Sequence, residues 1–319
     1  MNLEKLIEYG VKAPSGHNTQ PWLFSTGENE IDIHPDFTRA LPAVDSDNHA
    51  LYISLGCSAE NIVIAAAKYG LQSYVSIPES EKGDTFIKIV LKNDDAIQGN
   101  QLVNFIEKRQ STRNNYTERD VPSHDLDLLR KSFDFEGVDM ITLTHSNEIE
   151  DLEPLIIEGS NLQFQNQDFI NELVHWIRFS DREAKEKNDG LWAKCMGLPN
   201  IPCFLGSIFM KYFISAKSES KRWKKLIDAS AGFALFTVDT NDAAHWIKLG
   251  RAFQRFALTA TKLNIHHAHV NMPCEELEVR QKLIEQFNLG SKHPLLLIRF
   301  GYSEKMPYSL RRDAEKVIL

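Results

Sequence analysis

Arg109, Ser111 and Arg113 alternate in the stretch "EKRQSTRNNY", residues 107–116. In extended chain alternate side chains share a face, so two guanidiniums would flank one hydroxyl. Forked, charge-assisted donors with a neutral donor between them suit a phosphate. The plain alternative is a solvated run of charge. A second stretch that could carry chemistry is "APSGHNTQPW", residues 13–22. Gly16 lets backbone approach a flat ligand. Ser15, Asn18 and Gln20 offer donors and acceptors to the edge of a polar heterocycle, and Pro14 and Pro21 stiffen the loop. His17 is either a proton donor or a hydrogen-bonded part of the turn, and the same polar groups could instead satisfy the loop's own backbone. Further cations, Arg311 and Arg312, follow the turn at Gly301 and Tyr302. The run "HHAH" puts His267 and His269 on one strand face near Cys274, but no carboxylate or second histidine pair completes a metal site.

These pieces sit in a chain of 319 residues, 42% hydrophobic and 25% charged, which is ordinary globular composition. The length allows about two domains of roughly 150 residues, or one large one. A net charge of -8, from 36 basic and 44 acidic residues, argues against general nucleic-acid binding. An anionic ligand would have to be met by local clusters of arginine or lysine. Cys57, Cys195, Cys203 and Cys274 form no CxxC pair and no dense framework, which points to reduced thiols. The opening "MNLEKLIEYGVK" mixes charge with Leu3, Leu6, Ile7 and Val11 and reads as an amphipathic helix, not a secretory signal. No run approaches the roughly 18 apolar residues of a membrane span. The expectation is a cytoplasmic protein acting on small molecules, without nucleic acid or membrane as partner. The phosphate and nucleophile motifs GxGxxG, GxxxxGKS/T and GxSxG are absent.

The elements that must position these residues come as a repeat. "LGCSAENIVIAAAKYGLQSYVSIP", residues 55–78, resembles "LGRAFQRFALTATKLNIHHAHVNMP", residues 249–273. Gly56, Ala66, Lys68 and Gly70 match Gly250, Ala260, Lys262 and Asn264 at one offset of 194. Each copy reads as a long helix rich in small residues, ended by Gly or Asn in the left-handed C′ position and followed by a β-like stretch into Pro. Asn48 and Asn241 are the expected N-caps. Helices with Gly and Ala on one face can pack closely about a pseudo-twofold axis, like a homodimer fused into one chain. Strands are expected over 22–25, 31–34, 74–77, 85–91, 138–144, 233–238 and 293–300. Helices are expected over 3–12, 48–69, 101–108, 124–133, 148–160, 169–177, 242–263 and 275–287.

Residues 179–225 break the pattern. "DREAKEKNDGLW" is charged and ends in a turn signal, and the stretch after it gathers Trp192, Met196, Phe204, Phe209, Met210 and Phe213. This is either a helical subdomain with its own small core or a lid whose apolar face covers a ligand pocket.

Taken with their order, these motifs resemble the nitroreductase family of FMN-binding oxidoreductases. "APSGHNTQPW" resembles the family's APSxxNxQPW segment, and "RQSTR" with the following "VPSHDLDLL" resembles its N-terminal RRSxR segment. "GRAFQRFALTATKLNI", "NMP", "LIEQFNLG", "PLLLIRFGY" and "RRDAEKVI" resemble its C-terminal half. The likeness spans nearly the whole chain apart from 179–225. In an ordinary member RRSxR precedes APSxxNxQPW in every subunit. Here the first copy holds only the loop and the second holds only the RxSxR stretch, an arrangement similar to the fused, double-length Acg-type branch. The resemblance implies an α+β nitroreductase-like fold built as a single-chain pseudo-dimer, with halves at 1–97 and 98–319 and a lid insertion at 179–225.

It also implies one FMN per chain, in a composite site between the halves. Arg109, Ser111, Arg113 and Arg311, or Arg312 in its place, would hold phosphate or ribityl oxygens. Pro14, Ser15, Gly16, His17, Asn18 and Gln20 would lie along the ring system. Asn271 and Met272 would offer backbone N–H groups near flavin N5. The implied activity is NAD(P)H-dependent reduction of nitroaromatic or quinone-like acceptors, which needs no acid or base from the protein. The alternative is a non-catalytic protein that stores, sequesters or senses FMN under a closed lid. A fused pseudo-dimer would be a monomer in solution.

Overall fold

The computed structural model describes residues 2–81, 83–213 and 216–319. Of the side chains at 207, 209, 211–213 and 216 nothing is said, so the expected contributions of Phe209 and Phe213 lie outside the described residues.

Alternation builds the first half. Helix α1 (Glu4–Gly10) leads through the 13–22 loop into strands β1 (Trp22–Thr26) and β2 (Glu30–Pro35). Then come the long helix α2 (His49–Lys68) and strands β3 (Leu71–Ser76) and β4 (Ile87–Asn93). Trp22, Phe24, Ile31, Ile33, Ile87, Ile89 and Leu91 occupy every second position and are at most 2% exposed. One face of this antiparallel sheet is thus packed on α2, and the intervening side chains face outward. Its strand order is β1-β2-β4-β3.

The second half repeats that plan with a long excursion. Helix α3 (Ser123–Arg130) precedes β5 (Val138–Leu143). The excursion holds α4 (Ser146–Gln165), α5 (Gln167–Trp176), β6 (Ile177–Arg178), α6 (Asp181–Lys187), β7 (Leu191–Trp192), α7 (Cys203–Phe213) and α8 (Ala216–Asp228). The plan resumes with β8 (Gly232–Val238), α9 (Ala243–Lys262), β9 (His266–His269), α10 (Met272–Glu275), α11 (Leu277–Gln286) and β10 (His293–Gly301). The order β5-β8-β10-β9 is the first sheet's order again: first, second, fourth, third, with the long helix between second and third. Every residue of β8 is buried, because Ala234 and Phe236 face the shared core under α9 while Phe233 and Leu235 face a second core.

Helices α2 and α9 join the halves in the register of the repeat. A Cβ on Gly56 would lie 2.1 Å from the Ile247 carbonyl oxygen, and one on Gly250 would lie 2.0 Å from that of Ile53. Only glycine allows this approach. On one side of the crossing Tyr52 meets Trp246 at 5.9 Å between ring centroids. On the other, Gln254 Nε2 donates to Asn61 Oδ1 at 2.6 Å, and Arg251 and Arg255 donate to the buried Glu60 carboxylate at 2.8 and 2.6 Å. Among the described residues α2 alone is long and apolar enough to cross a membrane, and 83% of its most apolar window is buried inside the protein.

Most expected elements are present, and the left-handed caps fall where the repeat put them, Gly70 at φ 68° and Asn264 at φ 56°. The N-caps differ. Asn48 is itself left-handed, and the first turn of α2 is capped by Asp45, which accepts from Ala50 and Leu51 N–H at 2.9 Å each. Asp242 caps α9, and Asn241 instead accepts from the Trp246 indole at 2.8 Å. Residues 101–105 form a 3-10 turn, and the helix expected over 275–287 breaks at Glu276, whose ψ of 113° is extended. The excursion from the second sheet is wider than 179–225, because α4 and α5 already belong to it.

Candidate functional site

A cavity of about 390 Å³ opens where the 13–22 loop, α2, β9, α10 and the excursion meet. That is within the usual range for small-molecule sites, roughly 300–1,000 Å³. Pro14, Ser15, Gly16 and His17 line it from the first half, and Arg113, His269, Asn271 and Met272 from the second.

The loop cannot hold its shape alone. His17, Asn18 and Gln20 have φ values of 44°, 56° and 55°, a region that side chains with a Cβ rarely adopt. The second half braces it from two sides. Asn18 Nδ2 donates to the carbonyls of Gly190 at 3.0 Å and Leu310 at 3.1 Å, and Gly190 N–H returns a bond to Asn18 O at 3.1 Å. Gln20 Nε2 donates to Asn188 O at 2.9 Å, Gln20 Oε1 accepts from Arg312 N–H at 2.8 Å, and Arg311 Nε donates to Ala13 O at 3.2 Å. A carboxylate fastens the same contact: Asp189 accepts from Arg39 of the first half and from Arg178 Nη2 at 2.7 Å. Asn18 and Gln20 are therefore buried braces behind the cavity wall, and Arg312 is a backbone clasp on Gln20.

The RxSxR stretch runs extended beside β9, with Ser111 bridged to His267 and Thr112 N–H donating to His267 O at 2.9 Å. Arg113 reaches the cavity wall; Arg109 is 5% exposed, and its Nε and Nη1 have no hydrogen-bond partner. Among the described residues no carboxylate pairs with Arg109, Arg113 or Arg311. Burial, then repulsion from neighbouring arginines, lowers all three; Arg109 falls to about 10 and Arg311 to about 9. Arg109 is buried and Arg113 and Arg311 are half-buried, and mutually repelling guanidiniums drawn away from water are costly unless an anion joins them. The same field keeps nearby histidines neutral. Burial first and Arg113 second bring His17 to about 4, and burial with Arg113 and Arg109 brings His269 to about 3.

Arg299 was not singled out in the sequence. It is 1% exposed, lines the cavity, and donates from Nη2 to Asn114 O at 2.8 Å, so it props the RxSxR stretch from below while Nη1 stays without partner. The signal was a charged residue inside the apolar strand "PLLLIRFGY". Asn271 Oδ1 accepts from Leu297 N–H at 2.8 Å, which fixes the turn into α10; among the described residues no hydrogen bond engages the backbone N–H of Asn271 or Met272. The excursion supplies the apolar wall through Leu191, Met196, Leu198, Met210 and Trp223. Trp192 does not reach it; its indole donates to Asp181 at 3.0 Å, and Phe204 is 65% exposed.

No protein-family model matches the sequence. Two Mycobacterium tuberculosis proteins, from strains CDC 1551 and H37Rv and each named "Putative NAD(P)H nitroreductase", are 23% identical to this chain over 98% of its length and 90% of theirs. Among solved structures, an FMN-bound nitroreductase from Desulfitobacterium hafniense aligns with 69% of this chain and 98% of its own, at a TM-score of 0.43 and 9% identity. The FMN-dependent nitroreductase NfnB from Mycobacterium smegmatis, solved with NADPH, aligns with 64% of this chain and 88% of its own, at a TM-score of 0.41 and 12% identity.

Proposed function

We infer that this chain belongs to the nitroreductase family and is an FMN-binding, NAD(P)H-dependent oxidoreductase with one composite cofactor site. The observation that carries the reading is a group of mutually repelling arginines without carboxylate partners, Arg109 buried and Arg113 and Arg311 half-buried, beside a stiff loop of the other half. The full-length similarity to the two mycobacterial proteins supports it independently. Arg109, Ser111, Arg113 and Arg311 would hold the phosphate and ribityl oxygens, whose negative charge relieves the repulsion among the guanidiniums. Pro14, Ser15, Gly16 and His17 would lie along the ring system, with Asn18, Gln20 and Arg312 holding that loop in place. The N–H groups of Asn271 and Met272 would face flavin N5. When bound, FMN supplies two-electron chemistry between the nicotinamide and a nitroaromatic or quinone-like acceptor. The protein binds, orients and excludes water.

The repeated sheet order supports a tandem duplication, an Acg-like single-chain pseudo-dimer with halves at 1–97 and 98–319 and residues 179–225 as lid. Monomeric state and cytoplasmic location belong to the same reading. One observation favours storage of FMN in place of turnover: Met196, Leu198, Met210 and Trp223 wall the cavity from the lid side. Anaerobic mixing of the yellow, FMN-loaded chain with NADH or NADPH separates the two. Bleaching at the flavin band establishes the reductase. Reduction by dithionite but by neither nicotinamide establishes storage, and a chain that stays colourless in excess FMN refutes both.

A further inference from the structure

The cavity carries, beside the Asn271–Met272 turn, a carboxyl group that the reading above leaves without a task. Glu275, at the end of α10, faces the cavity together with Gln163 and Ser160 of α4. The two helices meet closely, since a Cβ on Gly159 would lie 2.9 Å from the Met272 carbonyl carbon. Gln163 Nε2 donates to Glu275 Oε2 at 2.7 Å, and Asn271 Nδ2 donates to Oε1 at 3.2 Å. Neutral amides therefore fix both oxygens, and among the described residues no Lys, Arg or His lies within ion-pair distance of them. Asn271 is held in turn by Leu297 N–H and Leu295 O, so the carboxyl's position is set by the sheet.

We propose that Glu275 is the proton donor to the electron acceptor, placed next to the turn at Asn271 and Met272 by two amide side chains. The proposal rests on the flavin-oxidoreductase reading and adds to it the acid that the implied mechanism lacks. In the reduction of a nitroaromatic, hydride from the reduced cofactor and one proton from Glu275 convert ArNO2 to ArNO and water. The bond to the transferred hydride, the Glu275 O–H bond and one N–O bond break, two O–H bonds of water form, and water later reprotonates the carboxylate. Burial raises Glu275 and Asp45 adds to the rise, against hydrogen bonds from Gln163 and Asn271 and the charge of His49. The neighbouring Glu276 is likewise raised by burial, and Arg280 on α11 is spent on the Cys274 carbonyl.

The test reoxidises the NADPH-reduced, FMN-loaded full chain with two acceptors in a stopped-flow instrument. p-Nitrobenzoate needs a proton, whereas ferricyanide takes electrons alone. Glu275→Gln should slow reoxidation by p-nitrobenzoate about 100-fold and leave ferricyanide reoxidation within about threefold. In the wild type the p-nitrobenzoate rate should fall as pH rises through the donor's raised pKa, and in Glu275→Gln that dependence should vanish. Glu275→Asp, which keeps an acid with shorter reach, should recover part of the rate. Equal losses on both acceptors, or an unchanged pH profile in Glu275→Gln, would overturn the proposal while the oxidoreductase reading stands. A wild-type chain that binds FMN but is never reduced by a nicotinamide overturns both.

Discussion

Arg109 is stabilised by its surroundings in one state only. Without an anion it is a buried charge facing other guanidiniums, and in the proposed site it would be a forked donor to one. Arg109→Met should weaken FMN binding by roughly 10–100-fold, the cost of one charge-assisted contact. The same change should stabilise the FMN-free chain by about 1–3 kcal/mol by deleting an unpaired buried charge. Fluorescence titration and urea unfolding read the two effects, and a variant less stable without FMN would refute the reading of an uncompensated cluster. His49 shows the opposite electrostatics. Burial pulls it down, but bonds and charge from Asp45 and Asp47 outweigh burial and lift it to about 9. A folded pKa above the unfolded value of about 6.5 stabilises fully below 6.5 and is lost as pH rises through 9. Unfolding free energies from urea melts should therefore drop between pH 6.5 and 10, by about 3 kcal/mol in total, and His49→Gln should flatten that slope. At this scale the extended run of Arg109, Ser111 and Arg113 was legible from its spacing, and of the three Arg113 lines the cavity. Arg299 was not, because a lone arginine in a strand gains its role from Thr112 and Asn114, 185 or more residues away in sequence.

Elements were legible in proportion to their periodicity. Both long helices and seven of the eight strands of the two sheets announce themselves by apolar spacing and turn signals. The eighth, β9, is four residues of mostly histidine; the repeat marks it as a β-like stretch before Pro273, and pairing with β10 sets its bounds. The caps of α2 and α9 were misread by a few residues because a capping oxygen is chosen by geometry: Asp45 reaches across a turn to two N–H groups, which local propensity does not encode. The pairing of α2 with α9 was readable from the matched Gly56 and Gly250. Gly56→Ala or Gly250→Ala should each push the helices apart and cost about 2–4 kcal/mol, since the added carbon meets backbone and no flexible side chain can yield. Thermal unfolding without FMN reads this directly. A loss below 0.5 kcal/mol in both would mean that the helices do not pack as closely as described.

For the whole molecule the expected outcome is one FMN per 36.4 kDa chain, in a monomer. Flavin absorbance against protein concentration gives the stoichiometry, and light scattering after size exclusion gives the mass. Two FMN per chain would mean that the pseudo-symmetric position is also complete. The proposed composite site follows in the sequence from parts distributed unequally, the loop in one half and the arginines in the other. The braces at 188–190 were not, because nothing local marks those carbonyls as partners of Asn18 and Gln20. In a symmetric homodimer any change at the twofold axis is forced on both subunits. Here the counterpart of Glu60 in the repeat is Gln254, and the counterpart of Asn61 is Arg255. The buried glutamate answers two cations that exist only on the other helix. Neither half could now pair with a copy of itself without losing a charge partner. The contact therefore works as a key: its charges fit the other half and would not fit a second copy of their own.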